Sequence, residues 1–257
     1  MPSTASPSVA LVVIASDDFA RAPLADDPST TLARMAAVGQ LQPLADARAH
    51  SRAALHDCQL AVLDAVGLSE ARDRFPSAAV SQRGRTGAVE ASECWAHLAC
   101  VHFEAGLNDM AAALLTGEQA LSDEDRSAIA GTLAAHLQAD GYALHAEEGG
   151  EWCVRCPREL LVETLPPEAA FKMSIKEALP SGTDAAELRR VMTEMQMLLH
   201  DHPSNERRAR AGLLAANSVW FWSVGSIAPS GASAALPPAF GRVDYLKGLY
   251  SLHAQPV

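Results

Sequence analysis

Hydrophobic and polar positions alternate along this chain with periods that predict both strands and helices. Residues 9–15 (VALVVIA) form an unbroken β-branched run, as in a strand buried on both faces. Residues 94–103 (CWAHLACVHF) predict a second buried strand. Ser122 followed by three acids opens a helix: the hydroxyl caps it and the carboxylates sit at its positive end. Ile129, Leu133 and Leu137 form its apolar stripe and Gly141 stops it. Residues 142–147 and 151–156, around Gly149-Gly150, predict a β-hairpin, and residues 160–165 a further short strand. After a turn at 179–182, Thr183 or Asp184 caps a helix. Leu188, Val191, Met192, Met195 and Leu199 share one face of that helix, and Met197 points elsewhere. Pro203 suits the first turn of another helix that stops at Gly212. Residues 217–222 predict an aromatic strand, with Trp220 and Trp222 on one face and Phe221 on the other. Residues 26–53 are Ala-rich and helical in parts. Leu60, Leu63 and Val66 fall at helical spacing.

These elements predict an α/β fold, a mixed sheet covered by helices, over residues 9–225. A disordered tail (1–8) precedes it, and a Ser/Ala/Pro-rich loop and C-terminal segment (226–257) follow. With 257 residues, 49% of them hydrophobic, the chain can bury a sizeable core. The net charge of −11 argues against nucleic acid and anionic membrane as partners, without excluding a local basic pocket. No apolar run approaches the roughly 20 residues that span a bilayer. The run at 9–15 lacks the preceding basic residues of a signal peptide. Five scattered cysteines fit a reducing cytoplasm better than a disulfide framework.

Chemistry concentrates between Glu194 and Gly225. His200-Asp201-His202 has two metal-ligand types, but no partner spacing supplies a third and fourth ligand. The alternative is a helix-to-helix turn with Asp201 as cap. Asn205, Arg207, Arg208 and Arg210 lie at the start of a helix, where free N–H groups and arginine forks suit an anion. Adjacent arginines cannot share one face, so one or two point inward and the rest are solvated. Cys153 and Cys156 spell CxxC, but strand geometry sends the two thiols to opposite faces and Pro157 forbids a helix there. Asp17 and Asp18 follow the first predicted strand, where α/β proteins commonly place active-site carboxylates. The alternative there is a solvated loop. No nucleophile elbow, P-loop or dinucleotide fingerprint appears.

The run 195–207 (MQMLLHDHPSNER) followed by 216–222 (ANSVWFW) resembles the RpfE-type bacterial regulatory proteins. Residues 95–107 and 121–142 extend that resemblance. A more distant likeness of the His-Pro-x-Asn, Arg, Gly and Ala-Asn positions links the chain to archaeal-type cofactor-independent phosphoglycerate mutases, metal-dependent phosphotransferases of the alkaline phosphatase superfamily. The chain departs from these patterns at Ser204, where Val is usual, and at Ser223-Val224-Gly225, which replaces three glycines. Of the mutase metal ligands only Asp17 or Asp18 has a match, and no nucleophilic Ser is assigned. The resemblance therefore implies a mutase-like scaffold and a non-catalytic regulatory protein that binds a small anionic metabolite, one bearing phosphate for example. His202, Asn205, Arg207, Asn217 and His102 are its implied ligand-binding residues, without cofactor or metal. A metal-dependent phosphotransferase and a protein-binding regulator, the latter with a regulatory protein partner, are the alternatives.

Overall fold

The computed structural model describes residues 76–106, 110–146, 152–227 and 244–253. The predicted strand at 9–15, Asp17, Asp18, the helical stretches at 26–53 and 57–66 and the tail at 1–8 lie outside the described residues.

Strand β1 (Cys94–Ala105) organises the sheet. Its first eight residues are all buried, as expected of an unbroken apolar run that is covered on both faces. Every ladder among the described residues is antiparallel. β1 pairs with β2 (Met110–Leu114) in the register Val101↔Leu114 to Ala105↔Met110. It pairs with β4 (Trp152–Arg155) in the register Trp95↔Arg155 to Leu98↔Trp152. It pairs with β5 (Ser218–Ser226) in the register Cys94↔Ser226 to Val101↔Ser218. The predicted hairpin is formed by β3 (Ala143–His145) and β4. The expected α/β sheet with helical cover is thus present. Its described ladders are all antiparallel.

Helix α1 (Ser77–Thr86) lies against β1 and β5. Helix α2 (Asp123–Ala139) starts where expected: the Ser122 hydroxyl accepts from the Asp125 N–H at 3.1 Å, and Ile129, Leu133 and Leu137 are buried. Gly141, at φ 80, ends it in the left-handed conformation that glycine takes without penalty. Two short helices follow, α3 (Pro167–Ala170) and α4 (Ile175–Ala178). Helix α5 (Ala185–His200) packs on β5 through Leu188, Val191, Met192, Met195 and Leu199, while Met197 is 66% exposed. Burying each such side chain is worth about 1.5–3 kcal/mol. Helix α6 (Pro203–Arg210) follows after a two-residue turn, and α7 (Asp244–His253) lies on α1.

Two local expectations are corrected. Residues 160–165 are not a strand but make one bridge, Glu163↔Ser181. Their backbone is served by side chains instead: Leu161 N–H donates to Asp184 at 2.8 Å, and Leu165 C=O accepts from Trp220 Nε1 at 2.8 Å. Asp184 therefore makes no side-chain cap for α5, although it is the N-cap residue. The cap of α6 is His202 rather than Asp201, whose side chain is 97% exposed.

A β-bulge falls where the resemblance places glycine. Trp95 pairs with Gly225 and His97 with Trp222, so Ser223 and Val224 together face Ala96. Ser223 has φ 52, the one positive value at a non-glycine among the described residues. The first position of this bulge type favours glycine for that reason. Here a serine takes it, and its Oγ accepts from both the N–H and the hydroxyl of Ser77 at 2.8 Å, satisfying an unpaired donor at the start of α1.

Candidate functional site

The residues singled out in the sequence converge on the connection between α6 and β5. Pro203 starts α6, and its missing N–H is no loss at that position. His202 Nδ1 accepts the Ser204 N–H at 3.2 Å. Nδ1 must then be unprotonated, so Nε2 carries the hydrogen and donates to Thr132 Oγ1 on α2 at 3.0 Å. Thr132 in turn donates to Ala128 C=O at 3.2 Å. Burial, and then the charge of Arg207, hold the His202 pKa below its ordinary value, and the ring is neutral.

Asn205 lies one turn further on. Its Nδ2 donates to Leu199 C=O at 2.8 Å and to Ala216 C=O at 3.2 Å, and its Oδ1 accepts the Ala216 N–H at 2.7 Å. One side chain thus ties the end of α5 to the residue before Asn217. Asn217 extends the β1–β5 ladder with its side chain: Oδ1 accepts the Phe103 N–H at 2.7 Å and Nδ2 donates to Phe103 C=O at 2.8 Å. His102 Nδ1 lies 2.9 Å from Ala215 C=O. These bonds pin residues 215–217 to both α5 and β1.

The arginines divide as their spacing requires. Arg210 is exposed and pairs with Glu206 at 3.1 Å. Arg208 is 1% exposed and donates to the carbonyls of Leu214, Ala120 and Gln119 at 2.7, 3.1 and 2.6 Å. Burial pushes its pKa down from the usual guanidinium value. Sequence spacing could place one arginine inside but could not say which. Arg207 donates through Nε and Nη2 to Asp125 Oδ1 at 3.1 and 2.7 Å, and through Nη2 to Ser204 Oγ at 2.9 Å. Burial acts to raise the Asp125 pKa, but hydrogen bonds from Arg207, Ser122 and Ser204 outweigh it and hold the carboxyl below its ordinary value. An anion arriving at Arg207 would have to displace Asp125.

A cavity of about 520 Å³ opens beside this knot, within the usual range for small-molecule sites. Phe103, Met110, Ile175, Leu179 and Met192 give it apolar walls. Lys176, Arg189, Thr193, Gln196 and Ser218 supply the polar groups. Among the described residues no carboxylate lines it. Arg189 donates to Pro180 C=O at 3.2 Å, and neither Arg189 nor Lys176 has an ion-pair partner among the described residues. Arg158, Arg190 and Arg207, by contrast, each hold two carboxylates. The cavity joins residues far apart in sequence, and no local pattern marks it. Among the described residues no group of three or more His, Cys, Asp or Glu is placed to hold a metal ion. None of the described helices is long and apolar enough to cross a membrane.

No family model matches the chain. Over part of its length it is similar to cofactor-independent phosphoglycerate mutases. It is 39% identical over 83 residues to the 2,3-bisphosphoglycerate-independent phosphoglycerate mutase of Methanothrix thermoacetophila, covering 32% of this chain and 19% of that protein. It is 41% identical over 61 residues to a probable enzyme of the same name from Geobacter sulfurreducens, covering 24% of this chain and 15% of that one. The matches thus span less than a fifth of these relatives' lengths. A solved cofactor-independent phosphoglycerate mutase from Thermoplasma acidophilum aligns with a TM-score of 0.41 at 16% identity, covering 66% of this chain and 46% of that one.

Proposed function

We propose that this chain is a non-catalytic, mutase-like regulatory protein that binds a small anionic metabolite, and that the anion sits in the cavity between β1, β2, α4 and α5. The observation that carries this reading is the pairing state of the cations. In a chain of net charge −11, Lys176 and Arg189 line the cavity with no carboxylate among the described residues beside them. An anion supplies the missing charge, and the apolar walls take an apolar body attached to it. His202, Asn205, Asn217 and His102 serve this site by holding residues 215–217 against β1, which sets Phe103 and Ser218 in the cavity wall. Arg207 supports them through Asp125.

Calorimetric titration tests the proposal with inorganic phosphate, 3-phosphoglycerate and phenyl phosphate as probes. Saturable binding of at least one is expected, with phenyl phosphate favoured over inorganic phosphate by the apolar walls. No heat and no melting shift with any of the three would overturn it.

The similarity to phosphoglycerate mutases supports a second reading, a metal-dependent phosphotransferase that uses Asp17 or Asp18. Turnover of 3-phosphoglycerate in the presence of divalent metal, lost in Asp17→Asn or Asp18→Asn, is its test. The regulatory role, RpfE-type kinship, a protein partner and a cytoplasmic location belong to the proposal and rest on the sequence resemblance.

A further inference from the structure

The CxxC spelling draws attention to Cys153 and Cys156, but the sheet gives each a different neighbour. Cys153 pairs in register with His97, and its Sγ lies 3.6 Å from His97 Nδ1. Cys156, three residues on, faces the other side of the strand. The register Trp95↔Arg155 carries on to Cys94 opposite Cys156, and the Cys156 N–H donates to Cys94 C=O at 2.8 Å. Directly opposed residues of an antiparallel pair have Cα atoms about 4.5–5.5 Å apart, inside the span a disulfide needs. Each thiol is the neighbour that most shifts the ionisation of the other. Both are buried, at 1% and 6% exposure, and neither is bridged.

We propose that Cys94 and Cys156 form a redox-sensitive thiol pair that closes to a cross-strand disulfide when a hydroperoxide reaches it, and that the CxxC pair does not. The hydrogen bond from Cys156, helped by the backbone N–H groups of Leu160 and Gly225, holds the Cys94 thiol below its ordinary pKa, and Cys156 as the donor is pushed up. The proposed attacking thiolate is that of Cys94. Its sulfur takes one oxygen of the hydroperoxide as the O–O bond breaks, giving a sulfenic acid. The leaving oxygen takes up a proton and departs as water or alcohol. Cys156 sulfur then attacks the Cys94 sulfur, and its thiol proton leaves with the displaced hydroxide as water. The thiol pair loses two electrons and the hydroperoxide gains two. Access is through the end of β4, where Pro157, Arg158 and Glu159 are exposed, rather than through the core.

The full chain carrying Cys58→Ser, treated with hydrogen peroxide and then denatured without reductant, tests this. The four remaining thiols should fall to two, with the loss of two hydrogens in mass. Peptide mapping should link the Cys94 peptide to the Cys156 peptide. Dithiothreitol should restore all four thiols. The melting temperature should rise on oxidation, because the bridge restricts the unfolded chain. Cys94→Ser and Cys156→Ser should each abolish the bridge. A Cys153–Cys156 bridge, a sulfinic acid at Cys94 without a crosslink, or four unchanged thiols would overturn the proposal. The mapping needs neither serine variant, so a folding defect in one of them does not mask the result.

Discussion

His202 holds its turn only as a neutral ring. The Nδ1 lone pair is the cap of α6, and a second ring proton would remove it. The folded-state pKa lies below the ordinary 6.5, so the neutral form is the one that folding favours. The contribution is fully present above about pH 6.5. It is lost as pH falls, because the unfolded chain takes up the proton first. Urea denaturation from pH 8 to 5 should show stability declining below about 6.5. His202→Asn keeps a cap acceptor without a titrating ring, and should lack that limb. An identical profile in the variant would remove His202 from this role. Asp125 titrates in a separate window: its pKa is depressed, so its contribution is lost only as pH falls below about 3.8. Ser223 makes a second prediction at this scale. Its left-handed backbone costs about 1–2 kcal/mol relative to glycine, and its bonds to Ser77 return about 0.5–1.5 kcal/mol each. Thermal melts should therefore place Ser223→Gly near wild type. Ser223→Ala keeps the strain and loses the bonds, and should cost about 1–2 kcal/mol.

At the scale of elements, α1 and α7 cross with glycine on both sides. A Cβ at Gly84 would land on the Asp244 carbonyl oxygen, and one at Gly248 on the Val80 carbonyl oxygen. Both obstacles are backbone and cannot rotate away. Arg85–Asp244 and Arg83–Ser251 bonds add to the docking but depend on that approach. Gly248→Ala should release α7, with overpacking of about 1–3 kcal/mol set against a ten-residue helix. Hydrogen exchange should then show residues 244–253 unprotected while β1 and β5 keep their protection. Retained protection in α7 would mean the helices tolerate a wider crossing. Helix α7 itself was not legible in the sequence, because low-complexity residues precede it and its contact face is a glycine with Tyr245 and Leu249. Helices α2 and α5 were legible through their 3.6-residue stripes. The aromatic alternation of β5 was equally clear, but the bulge at Ser223 was not, since it depends on the register against Ala96. The special character of residues 200–217 was also visible. What each side chain does there was not, because its partners are backbone atoms fixed only by the fold. Asp201 looked like the cap by residue type, yet the turn geometry hands that task to His202.

For the whole molecule, the question is which cations remain available. The chain is acidic, and several of its described arginines are committed: Arg207 to Asp125, Arg158 and Arg190 to two carboxylates each, Arg208 to three carbonyls. Lys176 and Arg189 stand apart from this pattern at the cavity. A charge-assisted contact is worth about 1.5–3 kcal/mol, and about 1.4 kcal/mol is tenfold in affinity. The most direct measurement is the affinity of phenyl phosphate for wild type, Lys176→Ala, Arg189→Ala and Arg207→Ala, each confirmed folded by circular dichroism. The two cavity variants should bind about tenfold or more weakly than wild type, with Arg207→Ala within about twofold of it. Loss of binding in Arg207→Ala, with both cavity variants unaffected, would contradict this account and place the anion at the start of α6.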